Sequence, residues 1–193
     1  KEIKDSDRSS LFRGIEVLPG SYKIQIKQGL NQVEQRIEVV GDPRFEVALV
    51  DRITKYQALK RYLGVEEKLF AIENWADSVN QRIAEVLEQL GAMSILPERE
   101  VLLLETQVLE NRLANIIGLS KVYEYREPVS KMSSSYDAPT EGQRLDLLRM
   151  EEALQALIED LSIFSYRELE SHSQRLRAVG VEPLFFPNFV PMR

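Results

Sequence analysis

The 193-residue chain has no cysteine and a single histidine. The first absence excludes disulfides and thiolate metal sites. The second leaves no further imidazole to complete a zinc centre around His172. Neither absence fixes a compartment. Base is also scarce: 25 Lys and Arg stand against 31 Asp and Glu, a formal charge of −6. That balance argues against a nucleic-acid partner, which calls for a clustered basic face. No apolar run approaches the roughly 20 residues of a membrane-spanning helix, so none is expected. A Gly-rich phosphate loop and a Gly-x-Ser-x-Gly elbow are likewise missing, so no cofactor is expected.

What is present suits an ordinary folded chain. Apolar residues make up 44% and charged residues 29%, enough of each for a hydrophobic core and a solvated surface. Lys1 to Val47 carries eight basic and eight acidic side chains, so the whole acidic excess lies beyond it. There the charges of both signs are interspersed, as in Glu66-Glu67-Lys68 and Glu98-Arg99-Glu100, which reads as solvated helix surface.

The longest pattern runs from Ala48 to Leu90. Leu49, Ile53, Tyr56, Leu59 and Leu63 are followed by Leu69, Ile72, Ala76, Val79, Ile83, Val86 and Leu90. Steps of three and four put them on one side of a helix on the order of 60 Å long, which needs antiparallel partners. Gly64 costs about 1 kcal/mol relative to Ala in a helix interior. Glu66 also falls where an apolar residue is due. A bend or short break is therefore expected near Gly64.

Upstream, Lys1 to about Arg13 reads as an irregular lead-in. Ile15 and Val17 alternate with Glu16, Leu18-Pro19-Gly20-Ser21 is turn chemistry, and Tyr22, Ile24 and Ile26 alternate with polar residues. After a turn at Gln28-Gly29-Leu30-Asn31, Val33, Ile37 and Val39 share one face. Two or three such strands are too few to stand alone. Their partners are expected upstream in a longer parent, or their apolar face packs on the helices. The chain opens on Lys1 without Met or signal peptide, which fits a processed or partial chain. Gly41-Asp42-Pro43-Arg44 ends the sheet.

Downstream, Gly91 to Ile95 is a turn, and Pro97 opens a second helix with Leu102, Leu109, Leu113, Ile116 and Ser120 on one face, to about Tyr125. Pro128 and Ser130 to Ser135 stop it, and Pro128 to Ala138 is expected to be the most mobile loop. Thr140-Glu141-Gly142-Gln143 is a capping box. A third helix carries Leu147, Met150, Leu154, Leu157, Leu161 and Phe164, with a change of phase near Ser165 before Leu169, His172, Leu176 and Val179. Gly180 is the stop, and Pro183 to Pro187 should lie against the helices.

Few residues invite chemistry. His172 sits at helical spacing between Leu169 and Leu176, the pattern of a packed histidine. Glu151-Glu152 and Glu159-Asp160 are adjacent in sequence and diverge on a helix, unlike a hydrolase carboxylate pair. Ser133 to Ser135 read as loop. Trp75 lies at the edge of the apolar stripe and reads as a packing residue. No catalytic, cofactor-binding or metal site is expected.

Three stretches carry a more specific pattern. Pro19-Gly20-Ser21-Tyr22 with its hairpin, then Val39-Val40-Gly41-Asp42-Pro43-Arg44, resembles the segment that follows the β-propeller in bacterial sortilin-like, VPS10-type and BNR-repeat proteins. Ala138-Pro139-Thr140 with Gln143 resembles the "APT-x-x-Q" helix start of that region, and Leu176 to Leu184 its closing helix. The resemblance implies the C-terminal part of an exported, extracytoplasmic propeller protein, with the upstream propeller as its partner. No family active-site residue maps here.

The expected fold is α+β, mainly α: a partial antiparallel β-sandwich or meander over 1–47, then a three- to four-helix antiparallel bundle over 48–193. The expected function is that of a non-catalytic accessory domain, structural or protein-binding. The alternative is a hydrolase-type domain with a site at the sheet–bundle junction using Asp42, Arg44, Glu73 or His172.

Overall fold

The computed structural model of the chain describes residues 15–93 and 97–181. The expectations for the lead-in up to Arg13 and for the tail from Pro183 to Pro187 fall outside the described residues. The fold is α+β and mainly α. Among the described residues, one small antiparallel sheet, β1 (Gly20–Gln28) with β2 (Asn31–Val39), precedes the helices. These are α1 (Leu49–Ala92), α2 (Pro97–Gly118), the short α3 (Arg126–Ser130), α4 (Glu141–Ile163) and α5 (Glu170–Ala178). The chain divides into two compact units. One holds the described residues up to Gly64 with Glu127–Leu147. The other holds Val65–Arg126 with the described residues from Leu148 onward.

In the first unit, β1 and β2 are joined by two residues, Gly29 and Leu30, with Gln28 opposite Asn31 and Gly20 opposite Val39. Gly29 has φ +59° and Leu30 a negative φ, the pattern of a type II′ turn, whose twist matches that of the strands. The Tyr22 hydroxyl donates to Leu18 O at 2.6 Å and fastens the Pro19-Gly20 turn to its strand. Ile15 to Leu18 form no strand, so the meander has two strands and not three. After β2, Pro43 presets a turn in which Phe45 N–H donates to Asp42 O at 3.1 Å. Asp42 Oδ1 also accepts from Arg44 N–H at 2.9 Å. The ring of Phe45 then stacks on Tyr136, centroids 4.4 Å apart.

The helix α1 is not broken at Gly64. A Cβ there would meet nothing within 4 Å, and φ is not positive, so Gly64 is a missing side chain rather than a hinge. Leu49 is exposed, and the buried set near the start of α1 is Lys55, Ala58 and Leu59. The second helix, expected to reach about Tyr125, ends at Gly118 and is followed by a 3-10 turn at Lys121–Tyr125, while the loop expected from Pro128 to Ala138 is largely replaced by α3 and a second 3-10 turn at Lys131–Ser134. Val122, Val129 and Met132 are buried, and those apolar positions organise the segment. The Thr140 capping box forms as expected, with Gln143 N–H on Thr140 Oγ1 at 3.2 Å and Thr140 N–H on Gln143 Oε1 at 3.0 Å.

In the second unit the stripes are buried as the spacing predicts: Leu69, Ile72, Ala76, Val79, Ile83, Val86 and Leu90 on α1, and Leu102, Leu109, Leu113 and Ile116 on α2. Trp75 is in this core, edge-on to Phe164 at 6.5 Å. The guanidinium of Arg99 donates to the terminal carbonyls of α1 at Leu90 (2.5 Å) and Gly91 (3.1 Å), groups with no partner inside their own helix. The phase change near Ser165 is a π-helical turn over Phe164–Leu169, which carries α4 into α5 and packs with α5 on α2. The turn takes up one extra residue, so Leu169, His172 and Leu176 return to the buried side. Gly180, φ +76°, ends α5 in a Schellman motif: Gly180 N–H donates to Arg177 O and Val181 N–H to Leu176 O.

Candidate functional site

The four residues of the junction hypothesis fall into separate clusters. Asp42 and Arg44 belong to the first unit and pair with each other, Arg44 Nη2 to Asp42 Oδ2 at 2.6 Å. The Arg44 guanidinium holds the Asp42 carboxyl below its usual range. Both are solvent-facing ends of one turn.

Glu73, in the second unit, lies in a polar group with Glu66, Tyr123 and Arg126. Arg126 grips the buried Glu66 carboxylate in a fork, with contacts of 3.0, 3.1 and 2.6 Å. That pair explains how an acid occupies an apolar position of α1. Burial pushes the Tyr123 phenol up to about 12, and the Glu73 charge adds to the shift. A phenol held neutral beside two ion-paired acids offers no base poised near neutral pH.

His172 is buried within another polar group. The Thr106 hydroxyl donates to Leu102 O at 2.7 Å, and its oxygen lies 2.8 Å from His172 Nε2. With the hydroxyl proton committed to Leu102, Nε2 carries the imidazole proton. The other ring nitrogen, Nδ1, then faces Glu105 Oε2 at 3.6 Å, and that oxygen has no hydrogen-bond partner. Arg175 engages the second oxygen of Glu105. Burial lowers the His172 pKa; Glu105 opposes the shift and Arg175 reinforces it. Hydroxyl, imidazole and carboxylate are thus in the order of a hydrolase relay, but with the tautomer reversed, since a relay needs Nε2 free to accept and Nδ1–H on the carboxylate. Thr106 is also fully buried and its proton already bonded, so no substrate carbonyl reaches it. Thr106 stands four residues after Leu102 and three before Leu109, a spacing that could have marked it, although no expectation singled it out.

The cavities add little chemistry. A cavity of about 30 Å³ in the first unit lies beneath Leu18 and Pro19 against Lys55, Tyr56 and Tyr136, room for about one water. Lys55 is buried there, its ammonium on Ser135 O and 5.5 Å from the Tyr136 ring centre. A cleft of about 280 Å³ in the second unit is lined by Glu98, Leu102, Arg175 and Val179, which place one acid and one base on an otherwise apolar wall. Among the described residues, no three His, Asp or Glu side chains converge to hold a metal ion. None of the described helices is long and apolar enough to cross a membrane.

The hairpin departs furthest from an ordinary folded surface. Alternation and register put Ile24, Ile26, Val33 and Ile37 on one face with Tyr22. Ile26 and Val33 are two-thirds exposed, and Ile24 and Ile37 are 44% and 37% exposed, so none of the described helices covers this face. The opposite face is charged, with Lys23 bridging to Glu34 at 2.5 Å. A two-stranded sheet open on both faces is marginal in water, and a contiguous exposed apolar patch marks an interaction surface. No family model matches the chain, and no curated protein or solved structure matches it either.

Proposed function

We propose that this chain is a non-catalytic accessory region whose role is architectural, and that it meets a larger β-rich body through the apolar face of its hairpin. The observation that carries this reading is the exposure of Ile24, Ile26, Val33 and Ile37 on a sheet of two strands. Covering those four side chains supplies on the order of 5 kcal/mol of hydrophobic stabilisation, which the hairpin otherwise forgoes. The polar clusters of the helices support the same reading, because their charges are engaged with one another. On this reading the helices form an antiparallel bundle. The body is the propeller-bearing part of a sortilin-like, BNR-repeat parent in an extracytoplasmic setting.

Hydrogen exchange tests it. Amides 20–39 are measured in this chain alone and in the full-length gene product. At least tenfold slower exchange in the longer protein is the expected result, and Ile26→Thr with Val33→Thr should remove that protection without changing the helices. Equal exchange in the two proteins would sink the proposal.

A further inference from the structure

The edges of the hairpin differ from each other. In a hairpin closed by two residues, the pair next to the loop exchanges main-chain hydrogen bonds, and every second pair after it does the same. Here that pair is Gln28 and Asn31. Odd-numbered residues of β2 therefore bond to β1, while Gln32, Glu34, Arg36 and Glu38 turn their N–H and C=O groups outward. On β1 the outward set is Ser21, Lys23, Gln25 and Lys27. Two lysines of one sign are a common guard against edge pairing. The β2 edge has no such guard. Its nine residues carry no proline and pair with β1 without a bulge, and its outward charges alternate in sign. Arg36 stands opposite Lys23, a like-charge neighbour, and no carboxylate is paired with it among the described residues.

We infer that the outer edge of β2 pairs with the same edge of a second copy, antiparallel about a two-fold axis at Gln35, to give a four-stranded sheet. Charge complementarity selects both occupant and register. Centred on Gln35, all nine residues overlap, Glu34 faces the partner's Arg36 twice over, and Gln32 faces the partner's Glu38. On the other side of the sheet Val33 faces the partner's Ile37, and the Gln35 amides meet at the axis. All the outward backbone groups are then used in bonded pairs. A register centred one residue either way sets like charges opposite each other: Glu34 against itself, or Arg36 against itself with Glu34 on Glu38. A centre at Ile37 restores Arg36 to Glu38 but pairs only five residues. The inference concerns the edge, whereas the proposed function concerns the apolar face, so either can fail without the other.

Sedimentation of the whole chain from micromolar to about 200 μM tests it. The expected result is a concentration-dependent mass of twice 22.2 kDa. Arg36→Glu puts a carboxylate opposite Lys23 in the monomer, which favours the hairpin, but sets Glu against Glu across the axis. It should weaken association about tenfold or more. The double variant Glu34→Arg, Arg36→Glu restores opposite charges in the same register and should restore the dimer. Because the chain lacks cysteine, Gln35→Cys should oxidise to a disulfide-linked dimer, while Glu34→Cys, whose counterpart is residue 36, should not. A chain that stays monomeric throughout, with this edge taking a strand of different sequence or none, overturns the inference. So does a dimer indifferent to Arg36→Glu.

Discussion

At the scale of single residues, the polar side chains inside the helices set two expectations. Glu66 is buried while Arg126 is a third exposed and also lies 4.0 Å from Glu73. Removing the arginine strands a buried carboxylate; removing the acid leaves a cation with water and a second acid at hand. Arg126→Met should therefore cost about 2–3 kcal/mol, and Glu66→Leu, which completes the apolar stripe, about 1 kcal/mol or less. Urea midpoints of the two variants check the order. His172 sets the pH dependence. Its folded pKa lies below the ordinary value near 6.5, because the buried ring resists charge. Above about 6.5 both folded and unfolded chains hold it neutral. As pH falls below that value the unfolded chain takes the proton first, so stability declines until the folded pKa is passed. His172→Gln keeps a donor for Thr106 and removes the titration. Its urea midpoint should vary less between pH 7.5 and 5.5 than that of the parent. The buried His172 was legible from its spacing; its partners Thr106 and Glu105 were not, since hydroxyl and carboxylate residues at helical positions usually face water.

At the scale of elements, the sequence located the helices well and misjudged the joints. Apolar spacing fixes a helix face, but continuity is decided by what a local defect costs against the turns on either side. Gly64 is such a defect, and its roughly 1 kcal/mol is outweighed by the propagation of a 44-residue helix. With open space around the absent Cβ, Gly64→Ala should raise stability by about 0.5–1 kcal/mol and the thermal midpoint by about 2–4 °C. A lower midpoint would mean that the helix needs glycine there. The segment after α2 failed the other way. Proline and consecutive serines suggested a loop, yet α3 and a 3-10 turn form there because Val129 and Met132 each reach a buried position. Two buried positions three residues apart are too few to register as a periodicity. Hydroxyls of Ser130, Ser133 and Ser134 bond back to carbonyls three residues earlier, which suits tight turns.

For the whole molecule, composition and patterning yielded a mainly helical chain with a small sheet. They could not say whether the apolar face of the strands was covered, because alternation records only that a face is apolar. The exposure of Ile26 and Val33 leads to an expectation for the complete chain. A chain beginning at Phe45 keeps the Phe45–Tyr136 stack and every buried helical position. It should retain a cooperative thermal transition and full helicity, with a midpoint lowered by a few degrees where residues 15–19 no longer cover Lys55 and Tyr56. A broad transition would show that the strands belong to the same cooperative core.

The π-helical turn at Phe164–Leu169 also says where this chain can change length. A deletion inside a regular helix rotates everything beyond it by about 100° and turns the buried side outward. Here the opposite holds, since the turn already contains one residue more than an α-helix would use. Deleting Tyr166, which is exposed, brings Leu161, Phe164, Leu169, His172 and Leu176 into successive steps of three and four. The shortened chain should thus fold with the same residues inside, and its His172 should still titrate below the ordinary value. A deletion at Glu159, about two turns earlier, should abolish the cooperative transition.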